Sequence, residues 1–232
     1  MDFFESLIEE TRKLLSKLEK KEYPLCSPWE DVGRNTLVLK RDEAFELDGT
    51  GFNLVTSKPI GESGVTVIGS DLKDIKSERR FARISLIQTV EFEDEQSAYN
   101  AIRKVEYSKY HYFPEGFMLR TVSTSHKEAA RVTKKALEKG ISFQKVGSLL
   151  ASKYLENENV VAARIFYVTD SGADFDSLEK IAERNYEITE ALNHIMKDLP
   201  LDCSACRLKP ICDEVEGMRE LHFKQSETNP NR

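Results

Sequence analysis

Four cysteines carry the clearest chemistry in the chain. Cys203, Cys206 and Cys212 stand in DCSACRLKPICDEVEGMRELHF with C-x2-C-x5-C spacing. Two cysteines three apart can turn both thiolates into one loop, the nucleus of many zinc and iron–sulfur sites. The third follows after one more turn, stiffened by Pro210. A fourth ligand must come from elsewhere, and the one other cysteine is Cys26, in YPLCSPWE. Closure through Cys26 would fasten the N-terminal part of the chain to the C-terminal part, so that metal binding would also stabilise folding. His222, a solvent atom or a substrate atom is the alternative fourth ligand. The spacing, with a proline ahead of the last cysteine, favours a 4Fe-4S iron–sulfur cluster over zinc, because structural zinc sites more often use two C-x2-C pairs. Inert buried cysteines and disulfide or redox chemistry are the competing readings.

Other motifs are weaker. Neither G-x-x-x-x-G-K-[ST] nor G-x-G-x-x-G occurs, so the common phosphate loops are absent, and DGTG and GESG read as turns. No G-x-S-x-G elbow is present, and His111, His126 and His194 are scattered rather than grouped into a catalytic set. DSGADFD lacks the Gly and Glu positions of a calcium loop and reads as a turn followed by a helix cap. Arg79, Arg80, Arg83, Arg120 and Arg164 fall on or beside expected strands. They could converge on a phosphate or carboxylate, which suits the guanidinium fork, or pair with the abundant Asp and Glu.

Composition bounds these options. Among 232 residues, 40 acidic side chains against 34 basic ones leave a net charge of -6. That balance argues against broad binding to nucleic acid or to an anionic membrane. No long apolar run could span a bilayer, and the acidic start MDFFESLIEE is not a signal peptide. A cytoplasmic, reducing location is therefore expected, where clustered cysteines bind metal more often than they form disulfides.

The elements that must position the cysteines can be read from periodicity. Phe3, Phe4, Leu7, Ile8, Leu14, Leu15 and Leu18 mark one face of an amphipathic docking helix, expected to end near Tyr23-Pro24. TLVLK, FNLVTS, VTVIG and ARISLIQTVEF read as strands joined by turns, and a mostly antiparallel arrangement is expected there. DEQSAYNAIRKVEYSKYH reads as a helix, GFMLRTV as a strand and HKEAARVTKKALEK as a helix closed by Gly140. SFQKVGSLLASKYLE is a further helix, VVAARIFYVTD a strand, and a last helix runs from about Asp174 to Leu199. The expectation is an α/β or α+β fold: a mixed sheet flanked by helices, with an N-terminal docking helix and a C-terminal helix leading into the cysteine loop. The divisions are an N-terminal helix over 1–24, one α/β domain over 25–200, a cysteine loop over 201–224 and a disordered tail over 225–232.

GVTVIGSDLKDI, GFMLRTVS and KGISFQKVGSLLASKYLENENVVAARIFYVTD, in that order and spacing, resemble the middle region of acetyl-CoA synthase. That enzyme is the β subunit of the CO dehydrogenase/acetyl-CoA synthase complex. Lys139, Gly140, Gly147, Leu150, Lys153, Thr169 and Asp170 fall at matching positions, and the resemblance spans Thr36 to Asp170. In the family, cysteines of the nickel–iron–sulfur A-cluster open the region that follows, and Cys203 and Cys206 sit where they would begin. Cys212 comes sooner than the family spacing, and no later C-x-C occurs. The resemblance thus implies a stand-alone relative without the complete A-cluster domain, accessory to anaerobic one-carbon or CO metabolism through interaction, assembly or electron transfer. Its implied partners are CO dehydrogenase/acetyl-CoA synthase components or a corrinoid iron–sulfur protein. The family's middle region also implies coenzyme A as a ligand, with Arg120 at a matching position and Met118 where an aromatic residue is expected.

Two enzymatic alternatives stand beside this. One is coenzyme A-dependent acyl transfer using Arg120. The other is a nuclease, since an upstream cysteine plus C-x2-C-x5-C also resembles the iron–sulfur staple of restriction-endonuclease-like DNA nucleases. The nearest metal-holding motif for the latter is Asp71-Leu72-Lys73, in a turn-like stretch.

Overall fold

Helix α1 (Glu5–Leu15) buries Leu7, Ile8, Thr11 and Leu15 along one side, as its amphipathic spacing requires. It stops at Leu15 rather than near Pro24, because Lys21–Pro24 forms β1, an edge strand pairing with Gly64–Ile68 (β3). The computed structural model describes residues 3–33, 37–121, 126–196, 208–212 and 214–215. Its other strands are β2 (Glu43–Thr56), β4 (Arg79–Thr89), β5 (Phe117–Thr121), β6 (Lys127–Thr133) and β7 (Val160–Val168). The helices after α1 are α2 (Glu95–Ser108), α3 (Lys134–Glu138), α4 (Phe143–Leu155) and α5 (Phe175–Met196).

The strands make one mixed sheet in the order β1-β3-β7-β4-β2-β6-β5, flanked by helices, which is the expected α/β architecture. β2 runs parallel to β4 and β3 parallel to β7, while the remaining pairs are antiparallel. The early part is therefore not mostly antiparallel. β3 lies between β2 and β4 in sequence but pairs with β1 and β7, so the chain crosses over and re-enters the sheet beside β2 in the same direction.

Three local expectations fail for physical reasons. DGTG is not a turn: Asp48 to Gly51 lie inside the 14-residue β2. A Cβ on Gly49 would come 1.9 Å from the Phe81 carbonyl oxygen, and one on Gly51 would come 2.2 Å from the Glu128 carboxylate. Both glycines mark close approach within a central strand rather than a reversal. HKEAARVTKKALEK is not one helix either. Glu128, Ala130 and Val132 alternate into the interior from β6, and Thr133 then caps the short α3 by accepting from the Ala136 amide. In TLVLK, Leu37 to Lys40 are not in a strand, and Leu37 is exposed; Thr36 lies outside the described residues.

Side chains alternate across each strand, so the registers assign the two faces. Arg83 and Ser85 of β4, Asn53 of β2, Glu128 of β6 and Tyr167 of β7 share the face covered by α4. Ile84, Leu86, Leu54 and Phe166 share the other, covered by α1 and α5. Pairing of β2 with β6 ends at Thr50, and α2 packs along β2 beyond that point. Asn185 of α5 donates to the Asn53 carbonyl there, at 2.7 Å.

Candidate functional site

The centre of the α4 face holds a charged group. Arg83 lies on β4 among apolar residues and is 1% exposed. Its Nε and Nη2 donate to the two carboxylate oxygens of Glu128 at 2.6 and 2.9 Å, and Nη1 donates to Asn53 Oδ1 and Ser85 Oγ at 3.0 and 2.6 Å. The Tyr154 hydroxyl reaches Asn53 Oδ1 at 2.9 Å and Ser85 Oγ at 3.2 Å. Burial works against the Arg83 charge, but the adjacent Glu128 carboxylate outweighs it and holds the guanidinium pKa above its ordinary value. Burial also pushes up the phenol pKa values of Tyr112, Tyr154 and Tyr167.

This network reaches outward. Asn53 Nδ2 donates to Glu106 on α2 at 2.7 Å, and Glu106 accepts from Lys109 at 3.1 Å. Burial would lower the Lys109 pKa, yet the Glu106 charge raises it overall. Glu106 and Lys109 line a cavity of about 560 Å³ between α2, α5, Gly51 and Phe52 of β2, and the ends of β5 and β6. Arg103 and His126 supply further basic groups to its wall, and Tyr107, Tyr110 and Tyr186 supply aromatic rings. Arg103 is steadied by Asn193 Oδ1 at 3.1 Å. Tyr107 and Tyr110 pack edge to face with centroids 5.7 Å apart, and both are exposed. Glu106 and Glu190 set two carboxylates on the same wall against the cations of Arg103 and Lys109, so the cavity offers aromatic rings and charges of both signs. The described wall presents no nucleophile paired with a base.

The cysteines divide between described and undescribed residues. The Cys26 amide donates to Ser148 Oγ on α4 at 3.1 Å, and its thiol donates to the Ser27 carbonyl at 3.4 Å. Cys212 is half-buried in a helical segment, residues 209–212 and 214–215, held by buried Leu208, Ile211 and Val215 and by an ion pair from Glu214 to Arg184 of α5. Cys26 is thus anchored to the helix on one face of the sheet, and the Cys212 segment to a helix on the other. Cys203, Cys206 and His222 lie outside the described residues, as do 201–207 and the tail 225–232. Among the described residues, no three His, Cys, Asp or Glu side chains are grouped as metal ligands.

The five arginines do not converge. Arg80 pairs with Asp176 and Glu179, Arg83 with Glu128, and Arg164 with Glu22, while Arg79 donates to Ser70 Oγ and the Thr169 carbonyl. Arg120 is exposed on β5, and its neighbour Thr121 lines the cavity. Asp71 accepts from the amides of Leu72 and Phe143 at 2.7 and 2.8 Å, so it caps two helical starts instead of offering a strand-borne metal carboxylate. Of the histidines, His126 alone among the described ones lines the 560 Å³ cavity. Sequence reasoning missed Glu128, Asn53 and Glu106. The available signal was Glu128 standing in phase with Ala130 and Val132, a carboxylate on the buried side of a strand-like alternation.

These features define an α/β domain on a seven-stranded mixed sheet, with an arginine–carboxylate pair at its centre and a cavity lined by charged and aromatic side chains at the end of that network. Residues 35–173, more than half of the 232, match the family described as CO dehydrogenase/acetyl-CoA synthase complex beta subunit, and the chain belongs to that family. No match to an individual curated protein was found. The matched span contains Asn53, Arg83, Arg103, Glu106, Lys109, Arg120, Glu128 and Tyr154; α1, Cys26, α5 and the cysteine triad fall outside it. No helix among the described residues is long and apolar enough to cross a membrane.

Proposed function

We propose that this chain is an accessory protein of CO dehydrogenase/acetyl-CoA synthase metabolism in the cytoplasm of an anaerobe, joining the family's α/β domain to a cysteine-held metal centre. Cys203, Cys206 and Cys212 would hold the metal, with Cys26 or another group as fourth ligand. The observation that carries the reading is the seating of Cys212. Its helical segment is fastened to α5 by Leu208, Ile211, Val215 and the Glu214–Arg184 pair, leaving the cysteine half-buried against the domain. A thiol fixed in that way pays little ordering entropy on ligation and is partly shielded from solvent. An iron–sulfur cluster there would supply one-electron chemistry, whereas zinc would supply a structural clip. Partners would be components of that complex or a corrinoid iron–sulfur protein. Anaerobic purification with iron and zinc analysis tests this on wild type and on Cys212→Ser, Cys203→Ser and Cys26→Ser. About four irons per chain and a brown colour, lost in the first two variants, is the expected result. Metal-free wild type overturns it, and the Cys26→Ser result decides the fourth ligand.

The 560 Å³ cavity favours a second reading, binding of coenzyme A with or without acyl transfer. Arg103, Lys109 and His126 would face the phosphates, and the tyrosines the adenine ring. Calorimetric titration with coenzyme A should show saturable binding weakened in Arg103→Gln, and Arg120→Gln tests whether the exposed β5 arginine contributes. Absence of binding removes this reading and leaves the first intact.

A further inference from the structure

The charged groups on the wall of the 560 Å³ cavity divide into two kinds by their partners. Glu106 is satisfied within the protein: one oxygen accepts from Asn53 Nδ2 and the other from Lys109, whose charge is thereby compensated. Arg103 and Glu190 are not. Neither forms an ion pair among the described residues, and each instead makes one hydrogen bond to the same side chain, Asn193 of α5. Asn193 Oδ1 accepts from Arg103 Nη1 at 3.1 Å, and Asn193 Nδ2 donates to Glu190 Oε1 at 3.0 Å.

Asn193 is 7% exposed, and its Oδ1 also accepts from the Tyr99 hydroxyl at 2.9 Å. With two donors on its oxygen and a carboxylate on its nitrogen, the amide has one orientation. It holds a guanidinium and a carboxylate side by side, each bonded to the amide rather than to the other. Arg103 keeps further N–H donors, and Glu190 Oε2 has no partner among the described residues. Half-buried opposite charges held in this way on a cavity wall are complementary to a ligand that carries both signs. The body of that ligand follows from the rings. Tyr107 stands one turn beyond Arg103 on α2, and Tyr110 packs against it edge to face. Both rings line the cavity and keep open surface, which suits stacking with a further aromatic ring.

We propose that this cavity binds a free α-amino acid with an aromatic side chain, its carboxylate on Arg103, its ammonium on Glu190 and its ring against Tyr107 and Tyr110. This ligand differs from coenzyme A in its use of Glu190: a phosphate meets Arg103 but is repelled by the carboxylate, whereas a zwitterion engages both. Glu190 and Asn193 come from α5, outside the family-matched span.

Titration calorimetry on the full chain with phenylalanine, hydrocinnamate, phenethylamine and glycine tests it. Phenylalanine should bind saturably at one site. Hydrocinnamate lacks the ammonium, phenethylamine the carboxylate and glycine the ring, so each should bind about tenfold or more weakly. Glu190→Gln, which keeps an oxygen for Asn193, should weaken phenylalanine by a similar factor and leave hydrocinnamate no weaker. Arg103→Gln should weaken phenylalanine and leave phenethylamine no weaker. The ligand series on wild type decides the matter if either variant fails to fold by circular dichroism. Absence of saturable phenylalanine binding, equal binding of hydrocinnamate or phenethylamine, or affinity unchanged in the folded variants overturns the proposal. Coenzyme A binding without phenylalanine binding also overturns it and keeps the coenzyme A reading, and phenylalanine binding without coenzyme A binding does the reverse.

Discussion

Arg83 and Glu128 meet as a two-pronged pair inside the sheet, with Nε–Oε1 at 2.6 Å and Nη2–Oε2 at 2.9 Å and neither side chain more than 1% exposed. Removing one member leaves the other buried without compensation. Glu128→Ala should therefore lower unfolding free energy by about 3–5 kcal/mol, measured by urea denaturation. The double variant Arg83→Met/Glu128→Met should recover most of that loss, because two apolar side chains carry no desolvation penalty. A double variant as unstable as Glu128→Ala would show that packing around the pair, not charge, is limiting.

Gly51→Ala should disturb the same pair from the opposite strand. The new Cβ would stand 2.2 Å from the Glu128 carboxylate, which is pinned by Arg83 and has nowhere to withdraw. Overpacking of this kind costs about 1–3 kcal/mol. The loss should shrink sharply in a Glu128→Ala background, where the obstructing carboxylate is gone, and a denaturation series on the four proteins reads this coupling.

Alkaline pH should expose the three buried phenols together. Burial raises the folded-state pKa values of Tyr112, Tyr154 and Tyr167 above their unfolded value. Their contribution is then complete below about pH 10 and is lost as pH rises above it, because the unfolded chain ionises first. An ultraviolet titration should show these tyrosines ionising only with loss of the native circular dichroism signal. Tyr154→Phe, which removes contacts to Asn53 and Ser85, should cost about 1 kcal/mol at neutral pH.

Acid acts on helix starts instead. Asp94 accepts from the Ser97 hydroxyl and amide, and Asp174 from the Ser177 amide and hydroxyl, which hold both carboxyl pKa values below the usual range. A depressed folded pKa gives stability that is present above about pH 4 and lost as pH falls through the folded value. Asp174→Ala should lower the melting temperature at pH 7, and the difference from wild type should close in acid. Asp174→Asn, which keeps a capping oxygen, should lie between them at pH 7.

Much of this fold was legible where one period dominated. α2, α4, α5 and β7 follow directly from apolar spacing, and the family resemblance over Thr36 to Asp170 agrees with the matched residues 35–173. The failures are long-range in origin. Gly49 and Gly51 look like turn residues unless one knows that Phe81 and Glu128 press against them. Lys127–Thr133 carries helix-favouring Lys, Glu and Ala, yet the open edge of β2 draws it into the sheet. The cavity beside Lys109 was invisible because its wall comes from α2, α5, two separate strands and His126. The cysteine triad rests on local spacing alone, and Cys203 and Cys206 lie outside the described residues.

The Arg83–Glu128 pair also bears on the order in which the chain folds. The two residues are 45 positions apart, on strands separated in the sheet by β2. A collapsed state that buries β4 before β6 arrives would hold a naked guanidinium in an apolar interior. If Arg83 is desolvated only as β6 docks, this non-local contact is formed in the folding transition state. Substitutions at Glu128 should then slow refolding in stopped-flow measurements more than they speed unfolding.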